Sequence, residues 1–306
     1  MIRSLVVAHL LMGFTMTPVA AGTAVVVTIK PVHALVAGVM RGVAEPKLLV
    51  RGTASPHTYA LTPSDTAALY DAAVFFRVSP QLEPFTPKIV RALPKEVQVV
   101  SLMGAPGLEL LGVRRGPAFE RNGGHAAHAG EPNMVDGHAW LDPENAKAMV
   151  AYIAEILSQK DPTHAEAFRS NAQELRQRLD LLKHELEQVL TPVADRPYIV
   201  FHDAMHYFER RFNLNAVGSI SVSPEIPPSA GRLIELRRKL KAVGAQCAFA
   251  EPRFSMALVS AVVEDTGARV GMLDPEAINL APGPNLYFTL MRTLAADLTR
   301  CLTLPA

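Results

Sequence analysis

The sequence has few cysteines, no excess of charge of either sign and, beyond its first residues, no apolar run long enough to cross a membrane. Its 306 residues carry 30 Lys and Arg against 29 Asp and Glu. Nucleic-acid-binding proteins usually present a basic surface, so this balance argues against a nucleic acid partner. A transmembrane helix needs about 20 apolar residues, so we expect no membrane insertion. No Gly-x-Ser-x-Gly motif is present, which leaves a serine hydrolase without support.

The first 21 residues have the character of an export signal. Arg3 precedes an apolar run over residues 5–14, and small residues follow at positions 19–21. This run is too short to span a bilayer, and the small residues resemble a cleavage site. We therefore predict a cleaved signal peptide over residues 1–21 and a periplasmic mature protein.

The chain contains two cysteines, Cys247 and Cys301. Neither lies in a Cys-x-x-Cys pattern, which argues against a thiol redox enzyme. In an exported protein such a pair predicts one disulfide bond, here between a strand and the last helix. Two free buried thiols are the alternative at this point.

Short apolar runs alternate with helical patterns in both halves of the chain. The predicted strands cover residues 24–29, 47–50, 73–78, 97–102, 198–201, 217–222, 247–250 and 269–273. The predicted helices between them include residues 81–92 and 203–212. Strands that alternate with helices are typical of parallel sheets with helices on both faces. The predicted fold is therefore α/β, with two β/α lobes and a ligand site in the cleft between them.

A long helical pattern separates the two halves. It runs from 161 to about 190 with an apolar stripe and a charged face, which is typical of a helix that bridges two lobes. We predict an N-terminal lobe over 22–160, a linking helix over 161–191 and a C-terminal lobe over 192–306. The glycine-rich stretch 104–137 lacks periodicity and contains His125 and His128, and we expect it to be a mobile loop.

Four potential metal ligands follow predicted strands or precede helices. They are His57, His138, His202 and Asp274. In α/β sheets, ligands are held at the carboxyl ends of the strands. Imidazole nitrogens with one oxygen ligand suit Zn²⁺. Spacing alone does not establish this site, but position and predicted export together favour a zinc site. Glu251 follows another strand and would either orient a histidine or form an ordinary ion pair.

Several motifs, in order along the mature chain, resemble one protein family. The matching segments are residues 28–35 (TIKPVHAL), 56–65 (PHTYALTPSD), 138–143 (HAWLDP), 200–204 (VFHDA), 222–226 (VSPEI), 249–254 (FAEPRF) and 273–275 (LDP). The chain is similar to the ZnuA-like, zinc-specific solute-binding proteins of bacterial ABC importers (cluster A-I, family 9 metal-binding proteins). The resemblance implies a monomer that captures Zn²⁺, catalyses no reaction and delivers the ion to an inner-membrane permease with its ATPase.

The resemblance also implies roles for individual residues. His57, His138 and His202 would be zinc ligands, and Asp274 would be the fourth ligand or lie just outside the coordination shell. Some members of the family carry an acidic residue before the first ligand, where this chain has Pro56, so Asp274 or water remains for the fourth position. The cysteines would be bridged and the long helix would limit lobe closure.

Two other functions are compatible with parts of the sequence. His202-Asp203-x-x-His206 resembles the His-Glu-x-x-His motif of zinc hydrolases, in which both histidines lie on one helix. The aspartate is one methylene shorter than the usual base, and His202 is predicted to end a strand. A metal-binding adhesin with the same fold is the other alternative.

Overall fold

The structure is a computed structural model that describes residues 23–114, 119, 134–221 and 227–303. The predicted signal peptide, the loop histidines His125 and His128, and the motif at 222–226 lie outside the described residues. The strands are β1 Val25–Val27, β2 Lys47–Leu48, β3 Val74–Arg77, β4 Gln98–Ser101, β5 Tyr198–Val200, β6 Ala216–Ser219, β7 Cys247–Ala250 and β8 Arg269–Met272. The α-helices are α1 Lys30–Val39, α2 Pro63–Tyr70, α3 Thr86–Val90, α4 Pro143–Lys160, α5 Ala165–Leu190, α6 His206–Arg211, α7 Ala230–Val243, α8 Met256–Val263 and α9 Leu286–Thr303.

The strands form two four-stranded parallel sheets with the same topology. One sheet has the order β2-β1-β3-β4 and the other β6-β5-β7-β8. Val25 of β1 lies opposite Val74 of β3, and Tyr198 of β5 lies opposite Cys247 of β7. The strand order reverses between these central neighbours, which is where α/β sheets hold ligands at their carboxyl edge. The predicted fold of two parallel-sheet lobes is confirmed.

The long helix α5 contacts both halves of the chain. It packs against α1 and α4 of the first half and against α9 of the second half. The buried residues along its stripe are Phe168, Ala172, Leu175, Leu179, Leu182, Leu186 and Leu190. Its 26 residues span about 39 Å at the usual rise. One continuous apolar core extends from β1 through this stripe to α9.

Two predicted helices are shorter in the structure. The helix predicted over 81–92 covers only Thr86–Val90. Pro84 cannot donate a backbone hydrogen bond inside a helix, whereas Pro87 lies in the first turn, where no such bond is needed. The helix predicted over 203–212 begins at His206, so a turn separates it from β5.

The predicted disulfide is confirmed: Cys247 and Cys301 are bonded and join β7 to α9. In the part of the chain that the structure describes, no helix combines the length and apolar character that a bilayer span requires.

Candidate metal centre

Three histidines from separate loops meet between the two sheets. One ring nitrogen of each of His57, His138 and His202 lies within 4.8 Å of the others, and their ring centroids are 5.4 to 6.0 Å apart. A tetrahedral zinc ion with bonds of about 2.0 Å places neighbouring ligand nitrogens about 3.3 Å apart. Small side-chain movements would therefore bring all three nitrogens into bonding distance of one ion.

The ring nitrogens that converge are buried without hydrogen bonds. Nε2 of His57, of His138 and of His202 has no hydrogen-bond partner among the described residues. A buried polar atom without a partner costs roughly 1–3 kcal/mol, and three such atoms in one place are unusual. A metal ion would satisfy all three at once, and no ordinary core packing would do so.

Asp65 fixes the loop that carries His57. Its buried carboxylate accepts hydrogen bonds from the Tyr59 hydroxyl at 2.8 Å, the Thr62 hydroxyl at 2.7 Å and the Arg51 guanidinium at 2.8 Å. Thr62 and Asp65 also form a capping box that starts α2, which satisfies the free N–H groups of its first turn. The loop before α2 is thereby tied to β2, and His57 is directed towards the second half of the chain.

Asp136 orients His138. Its Oδ1 accepts hydrogen bonds from the backbone N–H of His138 at 3.0 Å and from Nδ1 at 2.7 Å. Tyr207 of α6 donates its hydroxyl proton to the Asp136 carbonyl at 2.9 Å. Burial opposes ionisation of Asp136, but the interactions with His138 outweigh it and hold its pKa below the usual value. The proton on Nδ1 leaves the Nε2 lone pair of His138 free for a metal.

Glu251 has the same relation to His202. His202 follows β5 and Glu251 follows β7, which is the adjacent strand. Oε1 of Glu251 accepts hydrogen bonds from the backbone N–H of His202 at 3.2 Å and from Nδ1 at 2.5 Å. Burial opposes protonation of the His202 ring, but the charge and hydrogen bond of Glu251 prevail and raise its pKa. Of the two roles expected for Glu251, the structure shows the orienting one.

His57 lies in a different electrostatic environment from His202. Burial, the neighbouring rings of His138 and His202, and the Arg253 guanidinium together lower the pKa of His57 to about 2. The ring is therefore neutral at physiological pH. A neutral imidazole is the form that binds metal ions.

The segment around His138 is bonded to the second half of the chain. The Trp140 indole donates to the Pro275 carbonyl at 3.3 Å, and the Tyr287 hydroxyl donates to the Trp140 carbonyl at 2.8 Å. Arg211 of α6 pairs with Asp142 at 2.6 Å. These contacts hold the two lobes together beside the histidines, so the site is enclosed by both.

The structure does not bring Asp274 into the histidine group. Its two carboxylate oxygens accept hydrogen bonds from the backbone N–H groups of Ile278 at 2.9 Å and Asn279 at 3.2 Å. Glu276, two residues further on, has a carboxylate oxygen 3.9 Å from Nε2 of His57. Sequence reasoning missed Glu276 and Asp136. The available signals were an acidic residue two positions after Asp274 and another two positions before His138.

The hydrolase motif is not formed. His202 lies before α6, whereas His206 is the first residue of that helix. The Asp203 carboxylate, which would act as the base, accepts hydrogen bonds from the Arg114 guanidinium at 2.9 and 3.1 Å. A base held in an ion pair, with the two histidines not on one helix, cannot reproduce the geometry of the zinc hydrolase motif.

Comparison of the sequence with known proteins identifies similar chains over nearly its whole length. The family model ZnuA, described as "Zinc-uptake complex component A periplasmic", matches residues 25–301. The high-affinity zinc uptake system protein ZnuA of Brucella suis is 42% identical over 305 residues, which cover 91% of each chain. The protein of the same name from Paracoccus denitrificans is 34% identical over 297 residues, again 91% of each chain.

Solved structures with the same fold include both transport proteins and adhesins. A crystal structure of ZnuA superposes with a TM-score of 0.77 at 25% identity and covers 92% of this chain and all of that one. A zinc-bound ZnuA deletion mutant gives the same TM-score and identity over 94% of this chain and all of the other. The laminin-binding adhesin of Streptococcus agalactiae gives 0.76 at 26% identity, over 92% of this chain and all of the adhesin.

Proposed function

The chain belongs to the ZnuA family of periplasmic zinc-uptake components, and we propose that it captures Zn²⁺ between its two lobes with His57, His138 and His202. The convergence of three buried Nε2 atoms without hydrogen-bond partners among the described residues carries this proposal. A site of three imidazole nitrogens binds Zn²⁺ in preference to harder divalent cations. Asp136 and Glu251 orient two of the rings from opposite lobes.

Zinc is the cargo of this protein rather than a cofactor for a reaction. We propose that the mature chain, without residues 1–21, acts as a monomer in the periplasm. It would pass the ion to an inner-membrane ABC permease that works with an ATPase. The family description as a periplasmic uptake component and the names of the Brucella and Paracoccus relatives support this assignment.

An adhesin is the alternative that the fold itself allows. A laminin-binding protein of Streptococcus agalactiae is described as having both adhesin and metal-transporting activity. It is 26% identical to this chain, whereas relatives named as zinc uptake proteins reach 42%. The uptake function is therefore favoured, and laminin binding by the purified protein would argue for the alternative.

The test is a zinc titration of the purified mature protein against a competing chelator. The His202→Ala variant removes one proposed ligand and should weaken zinc binding by more than about 100-fold, since even residues outside the coordination shell affect affinity 10–100-fold. The matched control is His184→Ala, because His184 is an exposed residue of α5 with 65% of its side chain accessible. The control should bind zinc like the parent protein.

Two results would contradict the proposed function. One is a parent protein that does not bind zinc, and the other is equal affinity of the parent and the His202→Ala variant. Delivery is tested separately by growth on low zinc of a strain whose own zinc-binding receptor has been deleted. Expression of the parent protein should restore growth, and expression of the His202→Ala variant should not.

A further inference from the structure

A fourth potential ligand lies beside the three histidines. Glu276 is buried, and its Oε1 has no hydrogen-bond partner among the described residues. This atom is 3.9 Å from Nε2 of His57, close to the separation of about 3.3 Å between ligand atoms in a tetrahedral zinc site. We propose that Glu276, rather than Asp274 or water, completes the zinc coordination through Oε1. This inference rests on the proposed function and names a further residue of the same site.

Asp274 has a different task in the same segment. Both of its oxygens accept backbone hydrogen bonds from Ile278 and Asn279, which curls the chain after β8. If the Asp274 carboxylate turned towards a metal, it would give up both of these backbone hydrogen bonds. Asp274 therefore shapes the loop, and the loop presents Glu276.

Lys30 fixes the same loop from the first lobe. Its Nζ donates hydrogen bonds to the carbonyls of Ala277 at 3.2 Å, Ile278 at 2.6 Å and Leu280 at 3.1 Å. Ala277 itself has a φ of +58°, a conformation that non-glycine residues rarely adopt without support from surrounding contacts. The position of Glu276 is therefore determined by contacts from both lobes and does not depend on a flexible surface loop.

Arg253 leaves one oxygen of Glu276 available. Its guanidinium hydrogen-bonds to Oε2, and Oε1 faces His57. A buried carboxylate oxygen without a hydrogen bond is unfavourable unless a cation satisfies it. A zinc ion bound to three neutral imidazoles would do so, since zinc accepts carboxylate oxygens at about 2.0–2.2 Å. The hydrogen bond from Arg253 to Oε2 then orients the Glu276 carboxylate, as outer-shell partners do at other metal sites.

An ordinary buried ion pair between Arg253 and Glu276 is the competing explanation, and two variants separate the two roles. Glu276→Gln keeps the shape but lacks the anionic oxygen, and it should weaken zinc binding at least about tenfold. Arg253→Met removes the ion pair but keeps the carboxylate, and it should change zinc affinity less than Glu276→Gln does. Urea unfolding of both metal-free variants checks that they fold. If both variants lose affinity equally, the residue acts through its ion pair and the proposal is wrong.

A crystal structure of the zinc-loaded protein, with anomalous data at the zinc edge, provides the direct readout. The proposal predicts a bond of about 2.0–2.2 Å between Zn²⁺ and Oε1 of Glu276. Water or Asp274 in the fourth position would overturn it.

The proposed zinc function and the proposed fourth ligand are contradicted by different results. If His202→Ala loses zinc while Glu276→Gln binds like the parent, the three-histidine site remains and the fourth ligand is wrong. If the parent binds no zinc, the proposed function itself fails.

Discussion

Glu251 accepts hydrogen bonds from both the backbone N–H and Nδ1 of His202 through one carboxylate oxygen, Oε1. Asp136 makes the same pair of hydrogen bonds to His138 through its Oδ1. Each lobe thus supplies one histidine whose ring is fixed by a buried carboxylate. The shared arrangement determines which ring nitrogen faces the metal site, and it makes the two carboxylates testable as a pair.

The first prediction concerns Glu251. Glu251→Gln keeps an oxygen in place but removes the negative charge that increases the basicity of the His202 ring. We expect zinc affinity to fall about tenfold, the lower end of the effect of such partners. Competition titration at pH 7.5 measures it. Glu264→Gln is the control, because Glu264 is exposed on the same lobe and pairs with Arg237 at the surface. Equal affinities of the two variants would show that Glu251 does not act through His202.

The second prediction concerns Asp136 in the other lobe. Asp136→Asn can retain the shape of the His138 contacts but lacks the charge, so we again expect a loss of about tenfold in zinc affinity. Asp71→Asn, an exposed substitution at the end of α2, is the control. Because the two carboxylates orient different histidines of one site, the double variant with Glu251→Gln should bind zinc more weakly than either single variant. The two losses need not multiply, since the His138 and His202 rings are only 5.4 Å apart and share the ion. A double variant no weaker than either single one would contradict independent orienting roles.

The sequence predicted those parts of the site that depend on local pattern. Apolar runs mark the strands, and His202 directly follows one of them, so its place at a sheet edge could be predicted. Both Asp136 and Glu276 stand two positions from a predicted ligand, but the sequence does not show that they face the histidines, because their positions depend on tertiary contacts. Tyr207 holds the backbone of Asp136, and Lys30 holds the loop after Glu276.

The choice between Asp274 and Glu276 illustrates the limit of motif reasoning. The Leu-Asp-Pro motif directs attention to Asp274, whose oxygens are occupied by backbone N–H groups of its own loop. The loop turns at Ala277, which adopts a positive φ. Glycine or asparagine would have signalled such a turn in the sequence, but alanine does not. The sequence does not show what fixes the segments that carry His57 and His138, whereas the structure shows buried carboxylates that do so.

The third prediction uses the pH dependence of stability. Burial raises the pKa of Glu83 from 4.5 to about 7, so between these values the folded protein keeps a proton that the unfolded chain has lost. The free energy of unfolding should therefore fall as pH rises through this range, by roughly 3 kcal/mol for such a shift. Glu83→Gln removes the titrating group, while its amide oxygen can still accept the hydrogen bond from the Ser79 N–H.

Urea unfolding of the metal-free protein at pH 5 and pH 8 tests this prediction. The Glu83→Gln variant should lose less stability between the two pH values than the parent does, and at pH 8 it should be the more stable protein. Glu96→Gln, an exposed substitution before β4, controls for the change in net charge. An identical loss of stability in the parent and the Glu83→Gln variant would show that Glu83 titrates normally in the folded protein.

The last prediction concerns the disulfide between Cys247 and Cys301, which closes a loop of 54 residues. The chain-entropy model assigns such a cross-link about 4 kcal/mol, because the bond restricts the unfolded chain. The double variant Cys247→Ala and Cys301→Ala should lower the free energy of unfolding by about this amount. It also removes two buried sulfur atoms, so the reduced parent protein is the necessary comparison. If the cross-link itself stabilises the fold, the reduced parent should lose most of the same free energy. A reduced parent as stable as the oxidised one would assign the loss to packing between β7 and α9 instead.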